Sequence, residues 1–181
     1  SMDEDLFTAN FWQDEVVTNL LPADVTMATS IFADSNFAYI AGINGASGDP
    51  RACYWMSDGT IKTLSDEESV AMGIYVEGSN IYVVGVNAGK AGYWMNGTFK
   101  ALNNGTDAIA LSIYVKDGIV YSAGFIDAKA VYWKGTTKYD LSNLESRALS
   151  IKVDENDVVY IAGHIEDKAV YWKDGAVTEL T

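Results

Sequence analysis

The sequence predicts an all-β protein, a small β-propeller of four full four-stranded blades and an N-terminal half blade. All five tryptophans directly follow an aromatic residue, and successive tryptophans lie 43, 39, 39 and 39 positions apart. A Tyr-x-x-Gly segment, preceded by an Ala-x-x-Ile segment, recurs with this period upstream of each of the last four tryptophans. A repeat of about 40 residues built from short apolar segments is typical of propeller blades.

Each repeat contains four predicted strands, which we name A to D in chain order. Strand A begins at the Ile of the Ala-x-x-Ile segment, for example at residues 74–76, and a turn rich in Asp, Asn, Gly and Ser follows. Strand B, such as residues 81–84, is apolar without alternation, which predicts burial on both faces. Strand C carries the aromatic-Trp pair, and strand D, such as residues 99–102, mixes apolar and charged positions like an edge strand. This gradient predicts strand A at the axis and strand D at the rim.

The repeats predict one domain over residues 8–181, after a segment, 1–7, that we interpret as a tag scar followed by acidic residues. The units are listed by their approximate bounds: 8–21 (a half unit), 28–65, 71–102, 110–141 and 148–180. The half unit is a C–D pair without an A–B pair, whereas the last unit is complete. Four alternatives stay open: a four-bladed ring with this pair left over, a five-bladed ring with one incomplete blade, a shortened chain, or completion by a second copy.

Composition disfavours several classes of partner. A net charge of −13 argues against nucleic acid and against an anionic membrane surface. No apolar run approaches the roughly 18 residues of a membrane span. The single cysteine, Cys53, excludes an intrachain disulfide, and we expect it to be a small buried hydrophobic residue. Because Ser1-Met2 looks like a tag scar, we expect that the natural targeting segment was left out.

The stretch from Lys168 to Leu180 resembles extracellular bacterial repeats of the HAF type and related aromatic-Trp-x-x-Gly repeats. In those repeats an Ala-aromatic-x-Trp-x-x-Gly segment precedes an apolar strand, a Ser/Ala-rich start and a strand that ends in Val-Gly. Here residues 169–175, 148–151 and 159–163 take these places, and the resemblance covers nearly the whole chain from Thr8. It implies a secreted or cell-surface bacterial protein with a β-propeller fold, and it implies no activity.

The tryptophans allow two interpretations. They could form a ring of sugar-stacking platforms, one per blade, or they could fill the core between blades. We favour the core, because stability in a repeat protein requires burial in every unit. The aromatic residues beside them, Phe11 and four tyrosines, then face the opposite side of the sheet.

One basic residue, followed by Ala, occupies the same place in strand C of each full unit; these residues are Arg51, Lys90, Lys129 and Lys168. These residues could form a ring of positive charge on the face that carries the B–C and D–A loops, suited to a carboxylate, a sulfate or an acidic sugar. The alternative, which we favour, is that each pairs with an acidic neighbour such as Asp127, Asp167, Glu68 or Asp107, or covers apolar surface with its stem.

The same face carries the main length variation of the repeat. Residues 43–50 are predicted to bulge out as a loop, and variable loops on a rigid scaffold are usual binding places. We therefore add Asn44, Asn87 and His164 to the candidate ligand-binding residues. His164 has no second imidazole with which to share a metal, so we expect it at the surface or rim.

No catalytic constellation, metal-ligand spacing or nucleotide-binding loop is recognisable, so we expect no catalytic residue, no cofactor and no metal. The acidic run 154–157 lacks the Gly and the terminal Glu of a calcium loop and is predicted to be a hairpin turn. The leading hypothesis is a non-enzymatic extracellular binding or scaffold module for an unknown small molecule, glycan or protein. The alternative is an assembly protein, a homo-oligomer in which another copy completes the half blade. A carboxylate-dependent glycoside hydrolase is less favoured.

Overall fold

The structure is a computed structural model that describes residues 10–13, 15–19, 25–46, 48–103, 105 and 107–180. In these residues the chain forms strands and turns but no helix. The first two strands, β1 (Asn10–Gln13) and β2 (Val16–Asn19), pair with each other in an antiparallel hairpin. This hairpin is the predicted half blade, of which residues 8, 9, 14, 20 and 21 lie outside the described residues.

The other sixteen strands form four antiparallel four-stranded sheets, each a meander in chain order. Blade 1 comprises β3 (Val25–Ala33), β4 (Ala38–Ala46), β5 (Asp49–Met56) and β6 (Ile61–Thr63). Blade 2 comprises β7 (Ser69–Glu77), β8 (Asn80–Asn87), β9 (Lys90–Met95) and β10 (Thr98–Ala101). Blade 3 comprises β11 (Ala108–Lys116), β12 (Ile119–Ile126), β13 (Lys129–Lys134) and β14 (Thr137–Asp140). Blade 4 comprises β15 (Ser146–Val153), β16 (Val159–Ile165), β17 (Lys168–Lys173) and β18 (Ala176–Glu179).

The blades pack face to face in chain order, with strand A innermost. The A strands β3, β7, β11 and β15 contact one another in succession, and every residue of the D strands β14 and β18 is exposed. The predicted axis and rim are therefore confirmed, as is the all-β propeller class. We call the face of a blade that packs on the preceding blade its leading face, and the opposite face its trailing face.

The repeated tryptophans are buried: Trp94, Trp133 and Trp172 fill the spaces between successive blades, and Trp55 packs with Ile40 and Cys53 of its own blade. Trp55, Trp94, Trp133 and Trp172 lie on the leading faces and are at most 2% exposed. Trp133, for example, packs with the trailing-face residues Tyr93 and Leu102 of blade 2. The structural interpretation of these four residues is confirmed, and the adjacent tyrosines face the other side.

Strand A is longer than predicted because it contains a β-bulge. In blade 2 the pairing of β7 with β8 shifts between Ala71 and Gly73, and each full blade shows the same shift. The extra residue lets Ala71 and Ile74, three positions apart, both face the preceding blade, although strand residues normally alternate with a period of two. The predicted strand at residues 74–76 was therefore only the second half of β7.

The glycine of each Tyr-x-x-Gly segment lies opposite this bulge. A Cβ atom on Gly124 would overlap the carbonyl oxygen of Ile109, and the glycines of the other three full blades face the same obstacle. A Cβ on Gly163 would also stand 3.0 Å from the ring of Trp172 in the same blade. The glycine thus accommodates both the bulged strand and the tryptophan.

Residues 43–50 do not form the predicted loop. Strands β4 and β5 continue through this segment and pair as far as Ala46 and Asp49, two pairs beyond Asn44 and Arg51. The small residues here can pair as a regular hairpin, and at a strand rise of 3.3 Å per residue the hairpin extends about 7 Å beyond the other B–C turns. The prediction therefore located the longer B–C connection correctly, but the loop conformation predicted for it was wrong.

Two smaller predictions are confirmed. Cys53 is fully buried, and burial raises the pKa of its thiol to about 12. The run 154–157 forms the turn between β15 and β16, in which the Asp154 carboxylate accepts hydrogen bonds from the backbone N–H groups of Asn156 and Val158.

Gly124→Ala should lower the free energy of unfolding by about 2–4 kcal/mol, because the new methyl group forces the bulge of strand A away from strand B. Chemical denaturation measures the change. Gly78→Asn is the control: Gly78 has a φ of 61° and open space around its Cβ position, so this change should cost less than about 1 kcal/mol. Equal losses of stability in the two variants would contradict the close fit between the strand-B glycine and the bulge of strand A.

Native protein should resist thiol reagents at pH 8. A pKa of about 12 instead of about 9 reduces the thiolate of Cys53 about a thousandfold, and the side chain has no access to solvent. Labelling followed by mass spectrometry should be fast only in denaturant. Rapid labelling of folded protein would show that the outer part of blade 1 opens readily.

Candidate functional site

The starts of the C strands bring the four basic residues to equivalent places on one end of the blades. Lys90, Lys129 and Lys168 open β9, β13 and β17, and Arg51 takes the same place in β5. This end also carries the B–C turns and the D–A connections, and we call it the loop face.

The four basic residues differ in their partners. Arg51 forms an ion pair with Asp49 at 2.7 Å, and Lys168 forms one with Glu179 at 2.8 Å. Neither acidic residue was among the expected neighbours. Lys90 and Lys129 are exposed, and neither makes a hydrogen bond or ion pair with any residue that the structure describes. The available positive charge therefore lies on the adjacent blades 2 and 3.

Two predicted site residues, Asn44 and Asn87, lie in strand B directly across from a basic residue. Asn44 pairs in register with Arg51, and Asn87 pairs with Lys90. The side-chain oxygen of each asparagine is buried and accepts no hydrogen bond. An unsatisfied buried acceptor is energetically costly, and both oxygens are enclosed by protein atoms, so neither is open to a ligand in this arrangement.

His164 is not brought together with the basic residues. It lies on the trailing face of blade 4, half-buried, and its Nδ1 stands 3.1 Å from the carbonyl oxygen of Glu166. Because a carbonyl only accepts, this contact places the imidazole proton on Nδ1. Within the described part of the chain, no group of three or more His, Cys, Asp or Glu side chains is arranged to hold a metal ion.

The loop face as a whole is not basic. Carboxylates on its turns and connections outnumber the four basic residues; they are Asp49, Asp66, Glu67, Glu68, Asp107, Asp127, Glu145, Glu166 and Asp167. The predicted ring of positive charge is thus interrupted, and only the region of Lys90 and Lys129 retains unpaired cations.

The sequence analysis missed a row of aromatic side chains along the A strands. Ring centroids of Phe32 and Tyr75 are 5.0 Å apart, as are those of Tyr75 and Tyr114. Burial, together with a hydrogen bond to Tyr114, raises the pKa of Tyr75 to about 12. The sequence contains a signal for this row: in three units an aromatic residue directly follows the Ile of strand A. Blade 4 has Lys152 at this position.

A cavity of about 530 Å³ opens beside this row, at the end opposite the loop face. It is lined by Tyr114, Lys116, Lys152 and the turn at residues 153–156. The Lys116 ammonium group donates to the carbonyl oxygens of Asp154 and Glu155, at 2.7 and 3.0 Å, and to the Asp157 carboxylate at 2.6 Å. Lys116 thereby ties blade 3 to blade 4, and all three of its donors are used.

The tie between Lys116 and Asp157 should make stability depend on pH. Its hydrogen bond lowers the folded pKa of Asp157 below the usual 3.8, so the stabilisation is present above that value and is lost as the pH falls through the folded pKa. Asp157→Asn should therefore lower the melting temperature at pH 7, and the difference from the unmodified chain should shrink as the pH falls below 3.8 and vanish once Asp157 is protonated in the folded chain. The control is Glu155→Gln, an exposed carboxylate of the same turn, which should show no such pH-dependent difference.

The comparisons with known proteins bear on the fold alone. No protein-family model and no curated protein matches the chain. Among solved structures, the crystal structure of a nidogen–laminin complex matches with a TM-score of 0.60 and 13% sequence identity, over 93% of this chain and 72% of that one. The matching part of that complex is a β-propeller, which agrees with the meander blades described above. The fold is therefore that of a β-propeller.

Proposed function

We propose that this protein is a non-enzymatic binding module, secreted or displayed at the cell surface, whose ligand binds on the loop face at blades 2 and 3. The observation that carries the proposal is the pair Lys90 and Lys129, two exposed cations on neighbouring blades that have no partner among the described residues. The residues at the equivalent places in blades 1 and 4, Arg51 and Lys168, each have a carboxylate partner. Two unpaired cations at equivalent places are suited to an external anion.

The surroundings of the two lysines indicate the chemistry of the ligand. Asp107 and Asp127 border the same region, where the N–H of Asp127 donates to the carbonyl of Asp107 at 2.9 Å. A glycan with a carboxylate or sulfate group would satisfy both the lysines and these carboxylates. Its anion would meet the lysines, and its hydroxyls would donate to the carboxylates.

A protein ligand is the second candidate. The propeller in the nidogen–laminin complex is one component of a protein assembly, which supports recognition of a protein by this fold. On the present chain, the extended β4–β5 hairpin would form a raised wall on one side of such an interface. Fold likeness alone does not choose between the two candidates.

Binding to a panel of neutral, carboxylated and sulfated glycans and of acidic peptides tests the proposal. We expect an anionic glycan to bind, and the double variant Lys90→Ala, Lys129→Ala to bind it at least about tenfold more weakly, since charge-assisted hydrogen bonds contribute about 1.5–3 kcal/mol each. The control removes the same charge from the D strands, Lys62→Ala with Lys138→Ala, and should leave binding within about twofold. Equal losses in both double variants, or no binding to the whole panel, would refute the proposal.

A further inference from the structure

The trailing face of blade 4 has the residues of an interface between blades but is uncovered. The strand-B tyrosines of blades 1–3, Tyr39, Tyr82 and Tyr121, are 2–7% exposed, whereas Tyr160 of blade 4 is 36% exposed. Leu64 and Leu102, which follow strand D, are 8% exposed, and Leu180 is 54% exposed. The strand-C alanine behaves likewise: it is fully buried in blades 1–3, and Ala169 is exposed.

The half blade presents the complementary surface. Trp12 takes the place of the four buried tryptophans but is 67% exposed, although it also borders the cavities beside blade 1. Val17 pairs with Trp12 as Phe99 pairs with Trp94 and is 54% exposed. The chain thus carries an uncovered leading surface at one end and an uncovered trailing surface at the other.

The molecule itself shows three times how two such surfaces fit. At each internal boundary the tryptophan of one blade packs on the trailing face of the blade before it. At the last boundary the indole N–H of Trp172 also donates to the carbonyl oxygen of Leu141, at 3.2 Å. The residue equivalent to Leu141 in blade 4 is Leu180, and the residue equivalent to Trp172 in the half blade is Trp12.

We propose that the two terminal surfaces bind each other between copies of this chain. Trp12 and Val17 of one copy dock on Ala169 and Leu180 of blade 4 in a second copy, continuing the stacking of blades across the interface. The contact is head to tail, because the two surfaces differ. This proposal is independent of the ligand proposed for the loop face.

The inner part of the trailing face of blade 4 supports a half blade as the partner. Phe32, Tyr75 and Tyr114 line the inner strands of blades 1–3, but Lys152 takes this place in blade 4 and is exposed. A complete blade would cover Lys152 with its A strand, which would require an unpaired charge to be desolvated. Among the described residues the half blade consists of β1 and β2 alone, so Lys152 stays in water when these two strands meet the outer strands of blade 4.

Sedimentation velocity of the 181-residue chain over a range of concentrations tests the proposal. We expect concentration-dependent self-association. Leu180→Asp and Trp12→Asp should each weaken it on the order of 30-fold or more, as expected when a hot-spot residue is lost. Because both side chains are exposed, neither change should alter the circular dichroism spectrum or the unfolding midpoint of the dilute monomer. Leu144→Asp is the matched control, since Leu144 is 53% exposed but lies on the connection between blades 3 and 4.

Mixing the two variants gives the sharpest outcome. Leu180→Asp protein keeps its half blade and Trp12→Asp protein keeps its trailing face, so the mixture should form a 1:1 complex that grows no further. A chain that stays monomeric at all concentrations, association that neither variant weakens, or a mixture that fails to associate would each overturn the proposal. None of these results would change the glycan-binding experiment, so the two proposals fail separately.

Discussion

The close approach of strand A to the strand-B glycine is the constraint on which the blade depends. A bulge in strand A moves its carbonyl oxygen into the space where a Cβ atom on strand B would stand, and only glycine leaves that space free. The bulge also brings Ala110 and Ile113 to one face, where they pack with Trp133 against blade 2. The Ala-x-x-Ile, Tyr-x-x-Gly and aromatic-Trp segments are therefore three parts of one packing arrangement.

This arrangement explains why the blades stabilise one another rather than standing alone. The three larger clusters of buried side chains each combine the trailing face of one blade with the leading face of the next, so most of the core lies between sheets. Strand B alternates between buried and exposed residues in β16 but is continuously buried at residues 82–85 of β8, although both have the same apolar sequence character. The difference is that a following blade covers β8.

The sequence could predict the blades, their order and the burial of four tryptophans, because these follow from a period repeated several times. It could not predict features that depend on departures from a regular strand. Treating residues 43–50 as a loop concealed the ion pair of Arg51, since Asp49 and Arg51, two apart in one strand, necessarily share a face. The ion pair between Lys168 and Glu179 could not be predicted without the register of strands C and D. In that register Glu179 lies opposite Val170, two residues from Lys168.

Both proposals rest on positions at which the blades differ from one another. Most side chains at positions shared by every blade are buried by packing, so they offer a partner little exposed surface. Lys90 and Lys129 differ from Lys168 at this place for two reasons: Ala101 stands in blade 2 where blade 4 has Glu179, and Asp140, which stands there in blade 3, forms its ion pair with Lys138 instead. Similarly, Lys152 replaces an aromatic residue at the one blade whose trailing face is uncovered. A half blade docked on this face, as we propose, would leave the inner strands, and with them Lys152, open to water.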